Sequence, residues 1–236
     1  MFPVSFQIPF HNDLKIIRDY RRHEGEQCVL LATGPSINEV DLELLDKHPF
    51  VCGVNGAYLL RNGFKYYFMS NWFYKNNYSS LHNVNAEKWY FRKDVRRFKD
   101  EPHLEKVYVK LDNRSLKKGI QMKRFQTNLL GTLSWGPTVI LDIAIPVCLW
   151  MGFSEIILCG ADYPLGEYRN FYTNQNGTPE QGNPVNNEMK MAHHGFNVML
   201  EELEKQKRDV KFYNCSPFSE LECFEKKQLE QVIRYT

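Results

Sequence analysis

Small and amide-bearing residues follow five apolar runs of this chain, where buried strands are predicted to end. Neighbouring parallel strands end at one edge of a sheet, and that edge commonly forms a ligand-binding crevice. The sequence therefore predicts a ligand site at this edge. Its predicted residues are Thr33, Gly34, Pro35, Ser36, Asn55, Asn71, Gly160, Asp162, Asn214 and Ser216.

The turn after the first run has the residue types of an anion site. Gly34 allows close approach to the backbone, Pro35 suits the first turn of a helix, and Ser36 adds a hydroxyl group. A helix starting here would direct unpaired N–H groups and a partial positive charge toward a phosphate. The alternative is an ordinary strand-to-helix turn. The Walker lysine and the full GxGxxG pattern are missing, so neither an ATPase loop nor a standard dinucleotide site is predicted.

Asn55 and Asn71 end the second and third runs. A neutral amide offers both a donor and an acceptor, which suits a base edge, a ribose or a phosphate oxygen. Carboxylates at these positions would instead have indicated magnesium. Each asparagine alone could equally be a capping or turn residue, and it is their joint position that favours ligand contact.

A long segment without apolar periodicity precedes two adjacent histidines. Residues 163–187 are rich in Gly, Pro and Asn but also contain tyrosines. Such a segment is typical of a lid or of disorder, and its aromatic residues favour a lid over about 163–192. His193 and His194 follow at a predicted helix start, where either could be a general base for a hydroxyl or simply a surface residue.

Continuously apolar strands alternate with amphipathic segments in most of the chain, which indicates an α/β, Rossmann-like, mostly parallel sheet with helices on both faces. We predict an N-terminal extension over 1–26 and a single domain over 27–236 with the lid inserted. Strands are predicted over 27–32, 50–55, 65–71, 105–111, 155–162 and 209–215. Helices are predicted over 12–22, 36–47, 56–61, 137–151, 188–207 and 219–233.

Composition narrows the functional class. The net charge of +2 gives no reason to expect nucleic acid as a partner. Basic residues cluster at 20–22 and 92–99; such clusters are usually solvated, and contact with an anionic membrane is the weaker alternative. The six cysteines lack metal-binding spacing, and no signal peptide or membrane span is evident. A cytoplasmic protein is expected, with the inner-membrane periphery as the alternative location.

Five segments, read in order, resemble the DUF115 group and, within it, the bacterial family 42 sialyltransferases. They are ATGPSINEVD, VCGVNGAYL, YYFMSNWFY, MGFSEIILCGADY and FYNCSPFSELECF. The similarity covers about residues 27–75 and 132–224.

The resemblance implies a glycosyltransferase that uses a CMP-type nucleotide sugar, with no metal and no resident cofactor. It implies donor contacts from Gly34–Ser36, from the two strand-end asparagines and from a segment that here reads Trp135, Gly136, Pro137 and Thr138. It assigns Tyr168 and Tyr172 to the leaving phosphate and His193 or His194 to the general base. The implied acceptor is a glycan or glycolipid of lipopolysaccharide or capsule synthesis, and a homo-oligomer stays open.

Two positions depart from the family pattern and leave the donor sugar open. Thr33 replaces an asparagine, and the sugar-contact motif reads Gly-Pro-Thr. Two other functions are alternatives: a DUF115-type pterin diphosphokinase, which would need ATP and magnesium, and a non-catalytic nucleotide- or glycan-binding module. The strand-end asparagines count against the kinase, whose members have aspartates near these positions.

Overall fold

The structure, a computed structural model, describes residues 7–70, 81, 84–92, 105–112, 122, 124–134, 136–168, 170–172, 183–184 and 187–235. Its strands are β1 Gln27–Leu31, β2 Val51–Val54, β3 Phe64–Met69, β4 Ala86–Arg92, β5 Lys106–Val109, β6 Leu111–Asp112, β7 Leu133–Ser134, β8 Glu155–Cys159, β9 Glu167–Tyr168, β10 Asn183–Pro184, β11 Lys211–Asn214 and β12 Glu225–Lys226. Its α-helices are α1 Gln7–Arg18, α2 Ile145–Met151, α3 Asn187–Lys205 and α4 Leu229–Val232. A π-helical turn, Ile140–Ala144, leads into α2.

Within these ranges, eight strands form one sheet in the order β12-β11-β8-β1-β2-β3-β4-β5. Every described pair in it is parallel. The central strand β1 is buried along its whole length. The short strands β9 and β10 pair antiparallel within the predicted lid. The predicted parallel α/β sheet is therefore confirmed.

Two cores lie on opposite faces of this sheet. Along β1, Cys28 and Leu30 enter the core that α1, α2 and α3 cover. Val29 and Leu31 enter the other core, which short 3-10 turns and α4 cover. Continuous apolar strands are the consequence of burial on both faces.

The predicted helix over 36–47 is wrong. Two 3-10 turns, Pro35–Glu39 and Leu42–Leu45, occupy this segment, and Val40 between them is extended. The Asp41 side chain accepts a hydrogen bond from the N–H of Glu43 at 3.0 Å and so caps the second turn. A local side-chain bond of this kind competes with a continuous helix.

Two further helix predictions also need correction. The segment predicted as a helix over 56–61 is a 3-10 turn, Asn55–Leu59. The tail predicted to be helical over 219–233 contains the strand β12 and the single α-turn α4. In addition, β4 was not predicted, because Glu87 and Lys88 interrupt its apolar run.

The N-terminal segment packs on the sheet. The Asn12 side chain donates to the carbonyl of Tyr108 at 3.0 Å and accepts from its N–H at 2.8 Å. An amide placed in this way covers the backbone of the edge strand β5, where an open edge would invite pairing with another chain. Within the described part of the chain, no helix has the length and apolar character needed to cross a bilayer.

Candidate active site

The candidate site lies at the carboxyl edge of the sheet. The loops after β11, β8, β1, β2 and β3 follow strands that are neighbours in the sheet, so the loops adjoin one another. This edge holds the described residues that the sequence predicts to bind a ligand. Asn71 and Trp135 lie outside the described residues.

The main-chain amides of the Gly34–Ser36 turn already have hydrogen-bond partners. The N–H of Gly34 donates to the carbonyl of Gly160 at 2.7 Å, and that of Ile37 donates to Gly34 at 3.1 Å. The N–H of Ser36 donates to Oδ2 of Asp162 at 2.9 Å, and the Ser36 hydroxyl donates to Oδ1. The N–H groups of Gly34, Ser36 and Ile37 are therefore already paired within the protein in this structure.

Asp162 holds this turn against the end of β8. Its side chain is buried, and burial raises its pKa while the hydrogen bonds from Ser36 oppose that rise. A carboxylate at this point makes the turn less favourable for a phosphate, because like charges repel. The structure thus gives Asp162 and Ser36 a role in positioning the loop after β8.

Gly34 is a glycine because two groups crowd its α-carbon. A Cβ at this position would lie 2.5 Å from Oδ2 of Asp162 and 2.6 Å from the carbonyl oxygen of Gly160. Real Cβ contacts are not this short, so a larger residue would push the β1 and β8 loops apart. Close loop packing, rather than approach of a ligand, explains this glycine in the structure.

We expect Gly34→Ala to lower the free energy of unfolding by about 1–3 kcal/mol, the usual cost of overpacking. Denaturant unfolding measures the loss. Gly166→Ala is the matched control, because a Cβ at Gly166 meets nothing within 4 Å. Equal stability of the two variants would contradict the crowding argument.

Three other predicted ligand residues are structural. Asn214 and Ser216 are each 1% exposed. The Asn214 amide donates to the Ser219 hydroxyl at 2.8 Å and accepts from the N–H of Ser216 at 3.1 Å. The Ser216 hydroxyl accepts from the N–H of Ala161 at 2.8 Å. Gly160 is buried with a φ of 72°. The hydrogen bonds of Asn214 and Ser216 fix the loop after β8, and ligand contact by these three residues stays a prediction.

Asn55 keeps part of its amide available. Its backbone is left-handed, with a φ of 47°. Oδ1 accepts from the N–H of Ser70 at 3.1 Å, which ties the ends of β2 and β3 together. Among the described residues, Nδ2 has no hydrogen-bond partner, and the side chain is half-buried. Asn55 thus presents a donor at the edge of the sheet.

Residues 170–172 of the predicted lid cross the ends of β1 and β2. The N–H of Phe171 donates to the carbonyl of Thr33 at 2.9 Å, and the Thr33 hydroxyl donates to Oδ1 of Asn170 at 2.8 Å. The Tyr172 ring lies so close to Gly56 that a Cβ there would come within 2.5 Å of Cε1. Tyr172 is therefore placed beside Asn55. Tyr168 has its backbone in β9, paired with Asn183.

The segment before α2 reaches the same edge. Oγ1 of Thr138 and the hydroxyl of Tyr163 are hydrogen-bonded at 2.9 Å. The Thr138 carbonyl accepts from the N–H of Asp142 at 3.0 Å. Gly136 is buried, and a Cβ there would lie 3.1 Å from the backbone nitrogen of Asp142. Thr138 is thus brought to the site, and Gly136 serves the packing beneath it.

The structure separates the two histidines. Nε2 of His193 lies 2.7 Å from the carbonyl oxygen of Tyr163, in the loop after β8. Nε2 of His194 lies 3.0 Å from the carbonyl oxygen of Met122. A carbonyl only accepts, so both Nε2 atoms carry a proton, and Nδ1 holds the lone pair of the neutral ring. Within the described ranges, neither Nδ1 has a hydrogen-bond partner.

Only the His193 bond of this pair leads to the candidate site. Its carbonyl partner, Tyr163, follows Asp162 directly and bonds Thr138. The Tyr163 ring is buried, and its backbone φ is 47°. Sequence reasoning missed Tyr163 and Asn170 as site-forming residues, because neither stands out in a segment with several tyrosines and asparagines.

The same edge contains no obvious metal cluster in the part of the chain that the structure describes: no three His, Cys, Asp or Glu side chains there are grouped to hold an ion.

Comparison with known proteins shows a similarity of fold. No family model and no curated protein sequence matches this chain. The structure of MAf glycosyltransferase from Magnetospirillum magneticum AMB-1 is similar with a TM-score of 0.58 and 15% identity, over 97% of this chain and 39% of that chain. This chain thus spans well under half of the length of that glycosyltransferase. At such identity the similarity shows the α/β fold that the sequence predicts.

Two sialyltransferase structures give lower TM-scores. The sialyltransferase CST-II in complex with a trisaccharide acceptor and CMP has a TM-score of 0.49 and 16% identity, over 89% of each chain. CstII from Campylobacter jejuni in complex with the substrate analogue cytidine-5'-monophosphate has a TM-score of 0.47 and 16% identity, over 87% of this chain and 86% of that chain.

Proposed function

We propose that this protein is a glycosyltransferase that moves a sugar from a CMP-type nucleotide donor to a hydroxyl group of a glycan, without a metal ion. The observation that carries the proposal is the position of His193. Its Nε2 is held by the loop after β8, and its Nδ1 has no partner in the described residues. A fixed imidazole with an available lone pair is suited to take a proton from a hydroxyl group.

The proposed reaction is a direct inverting displacement. The acceptor oxygen attacks the anomeric carbon, and the bond from that carbon to the donor phosphate breaks. The acceptor proton moves to Nδ1 of His193, and CMP leaves with the bonding electron pair. The group that gains charge is therefore the leaving phosphate, and donors placed around it contribute most to catalysis.

The leaving phosphate is proposed to lie near β2 rather than at the Gly34–Ser36 turn. The Ser36 amide is bonded to Asp162, whereas Nδ2 of Asn55 is available among the described residues. Tyr172 lies over the adjacent Gly56 and is the proposed second contact of the same phosphate. Residues 170–172 cross the strand ends, and closure of the lid segment would limit hydrolysis of the donor by water.

The sequence motifs and the fold supply the rest of the support. The ordered segments that resemble family 42 sialyltransferases indicate a CMP-linked donor, such as CMP-sialic acid. The structure with a TM-score of 0.58 is that of a glycosyltransferase, which makes sugar transfer a reasonable function for this fold. A glycan or glycolipid of lipopolysaccharide or capsule synthesis is the proposed acceptor class.

A thermal-shift screen tests the donor class. CMP, UDP, GDP and ATP are compared with and without magnesium, and transfer is then assayed with CMP-sialic acid and oligosaccharide acceptors in EDTA. A ligand at 100 times its Kd adds about 2.7 kcal/mol of stability, which for a chain of this size raises Tm by roughly 5–10 °C. We expect CMP to stabilise the protein and transfer to survive EDTA. Stabilisation by ATP with magnesium alone would favour the pterin diphosphokinase and overturn the proposal.

A further inference from the structure

One face of α1 and of the turn after it is both apolar and basic. Leu14, Ile17 and Tyr20 are 36%, 49% and 55% exposed, and their spacing places them in one stripe. Two of the residues between them face inward: Ile16 and Asp19 are 1% and 0% exposed. The exposed stripe is thus the outer side of a segment whose inner side is anchored in the protein.

Exposed arginines surround this stripe. Arg18, Arg21 and Arg22 are all exposed. Arg21 pairs with Glu24, and Arg22 lies 4.0 Å from the buried Asp19. We call the set Leu14, Ile17, Arg18, Tyr20, Arg21 and Arg22 the α1 outer face. Among the described residues 14–25, Glu24 is the single exposed carboxylate beside this face. The face therefore carries a net positive charge.

Trp150, from α2, extends the α1 outer face. The Tyr20 ring packs on Trp150 with ring centroids 4.6 Å apart, and the Trp150 indole N–H donates to the carbonyl of Ile16 at 2.8 Å. These contacts place the two aromatic rings side by side on the α1 outer face.

We propose that the α1 outer face docks on an anionic phospholipid membrane. Arginines beside an anionic bilayer each contribute about 1 kcal/mol of attraction, and Trp and Tyr favour the depth of the lipid headgroups. Transfer of the exposed Leu and Ile side chains into the acyl boundary lowers the free energy, whereas contact with RNA phosphates gives these side chains no favourable interaction. The apolar stripe within the arginines therefore favours a lipid surface over a nucleic acid.

This surface is separate from the candidate active site. The turn at 21–25 bonds the residues just before β8: the N–H of His23 donates to Met151 at 2.8 Å, and that of Gly25 donates to Gly152 at 3.0 Å. These bonds lie at the amino edge of the sheet, while the site lies at the carboxyl edge. The inference therefore holds whether or not the proposed reaction is correct.

Vesicle sedimentation of the full chain tests the docking. Vesicles of phosphatidylcholine alone are compared with vesicles that also contain phosphatidylglycerol, at low and high salt. We expect binding only to the anionic vesicles, with weaker binding at high salt because salt screens exposed charges. Equal binding to both kinds of vesicle, or binding to neither, would overturn the proposal.

Two pairs of substitutions separate the charged and apolar contributions. Arg18→Gln with Arg22→Gln should weaken binding about 30-fold, from about 1 kcal/mol per charge. Ile17→Ser with Tyr20→Ser should weaken it on the order of tenfold, through lost apolar burial. Lys47→Gln with Lys227→Gln removes equal charge from exposed positions elsewhere, and Phe218→Ser removes an apolar side chain that is 63% exposed. Both controls should bind as the wild type does.

Other occupants of the α1 outer face give distinct results. Sedimentation equilibrium detects a second copy, and a fluorescent RNA detects nucleic acid. If the wild type self-associates and Ile17→Ser with Tyr20→Ser abolishes that association, the face is a contact between copies and the proposal is wrong. If the arginine pair weakens RNA binding while vesicles are not bound, the proposal is equally wrong.

Discussion

His193→Ala is expected to lower kcat for sugar transfer about 10²- to 10⁴-fold, the usual contribution of a positioned general base. The Kd for the nucleotide should stay within about threefold, because the proposed role of His193 is toward the acceptor hydroxyl. His194→Ala should retain most of the activity, since its Nε2 bonds Met122 and not the loop after β8. Steady-state kinetics with CMP-sialic acid, and thermal shift with CMP, measure both effects.

A glutamine at position 193 distinguishes catalysis from positioning. The His193→Gln side chain can still donate to the carbonyl of Tyr163, which His193 contacts at 2.7 Å, but it has no basic lone pair near neutral pH. If His193 is the base, His193→Gln keeps the hydrogen bond to Tyr163 but turns over no faster than His193→Ala. If turnover returns with glutamine, or if His194→Ala loses as much activity as His193→Ala, the assignment of the base is wrong.

The sheet could be predicted because its strands are buried on both faces. β1, β2 and β8 are buried at every residue, and burial on both faces requires the continuous apolar runs that the sequence shows. β4 escaped prediction because its Lys88 is only 5% exposed, yet a lysine in sequence indicates solvent. The partner that permits its burial, Asp19, is 69 residues away in the chain.

The site could be predicted only as a location. The predicted strand ends indicated the carboxyl edge of the sheet, because the rule that ligands bind at that edge depends on topology alone. The strand ends did not predict that the Asp162 carboxylate accepts a hydrogen bond from the Ser36 N–H, because the two residues are 126 positions apart. Nor could adjacent histidines be separated, because their difference arises from partners at positions 122 and 163.

The N-terminal segment was predicted to be an extension, and its described residues make a polar contact inside the protein. The Asp19 side chain is 0% exposed. Lys88 donates to its two carboxylate oxygens at 2.9 and 2.8 Å, and the Tyr90 hydroxyl donates to Oδ2 at 2.6 Å. Three strong hydrogen bonds thus join the segment to β4, and burial raises the pKa of Tyr90.

Asp19→Ala should therefore cost about 3–5 kcal/mol of unfolding free energy, because removing one partner leaves a buried charge without compensation. Among the described residues, Lys88 would keep only Glu105 as an ion-pair partner, at 3.2 Å and 47% exposed. For a chain of this size the loss corresponds to a fall in Tm of roughly 10 °C. Denaturant unfolding and thermal melts measure it.

Two controls decide whether the burial of Asp19 causes that loss. Glu87→Ala removes the Lys65–Glu87 ion pair, in which Nζ and Oε1 are 2.7 Å apart. Because Glu87 is 58% exposed, we expect a loss of at most about 1 kcal/mol of unfolding free energy. Asp19→Leu combined with Lys88→Met and Tyr90→Phe removes both buried charges and the hydroxyl that would lose its acceptor, so it should recover most of the stability lost in Asp19→Ala, since apolar residues of similar volume can replace a buried pair. If Asp19→Ala costs no more than Glu87→Ala, the N-terminal segment is not anchored by this ion pair.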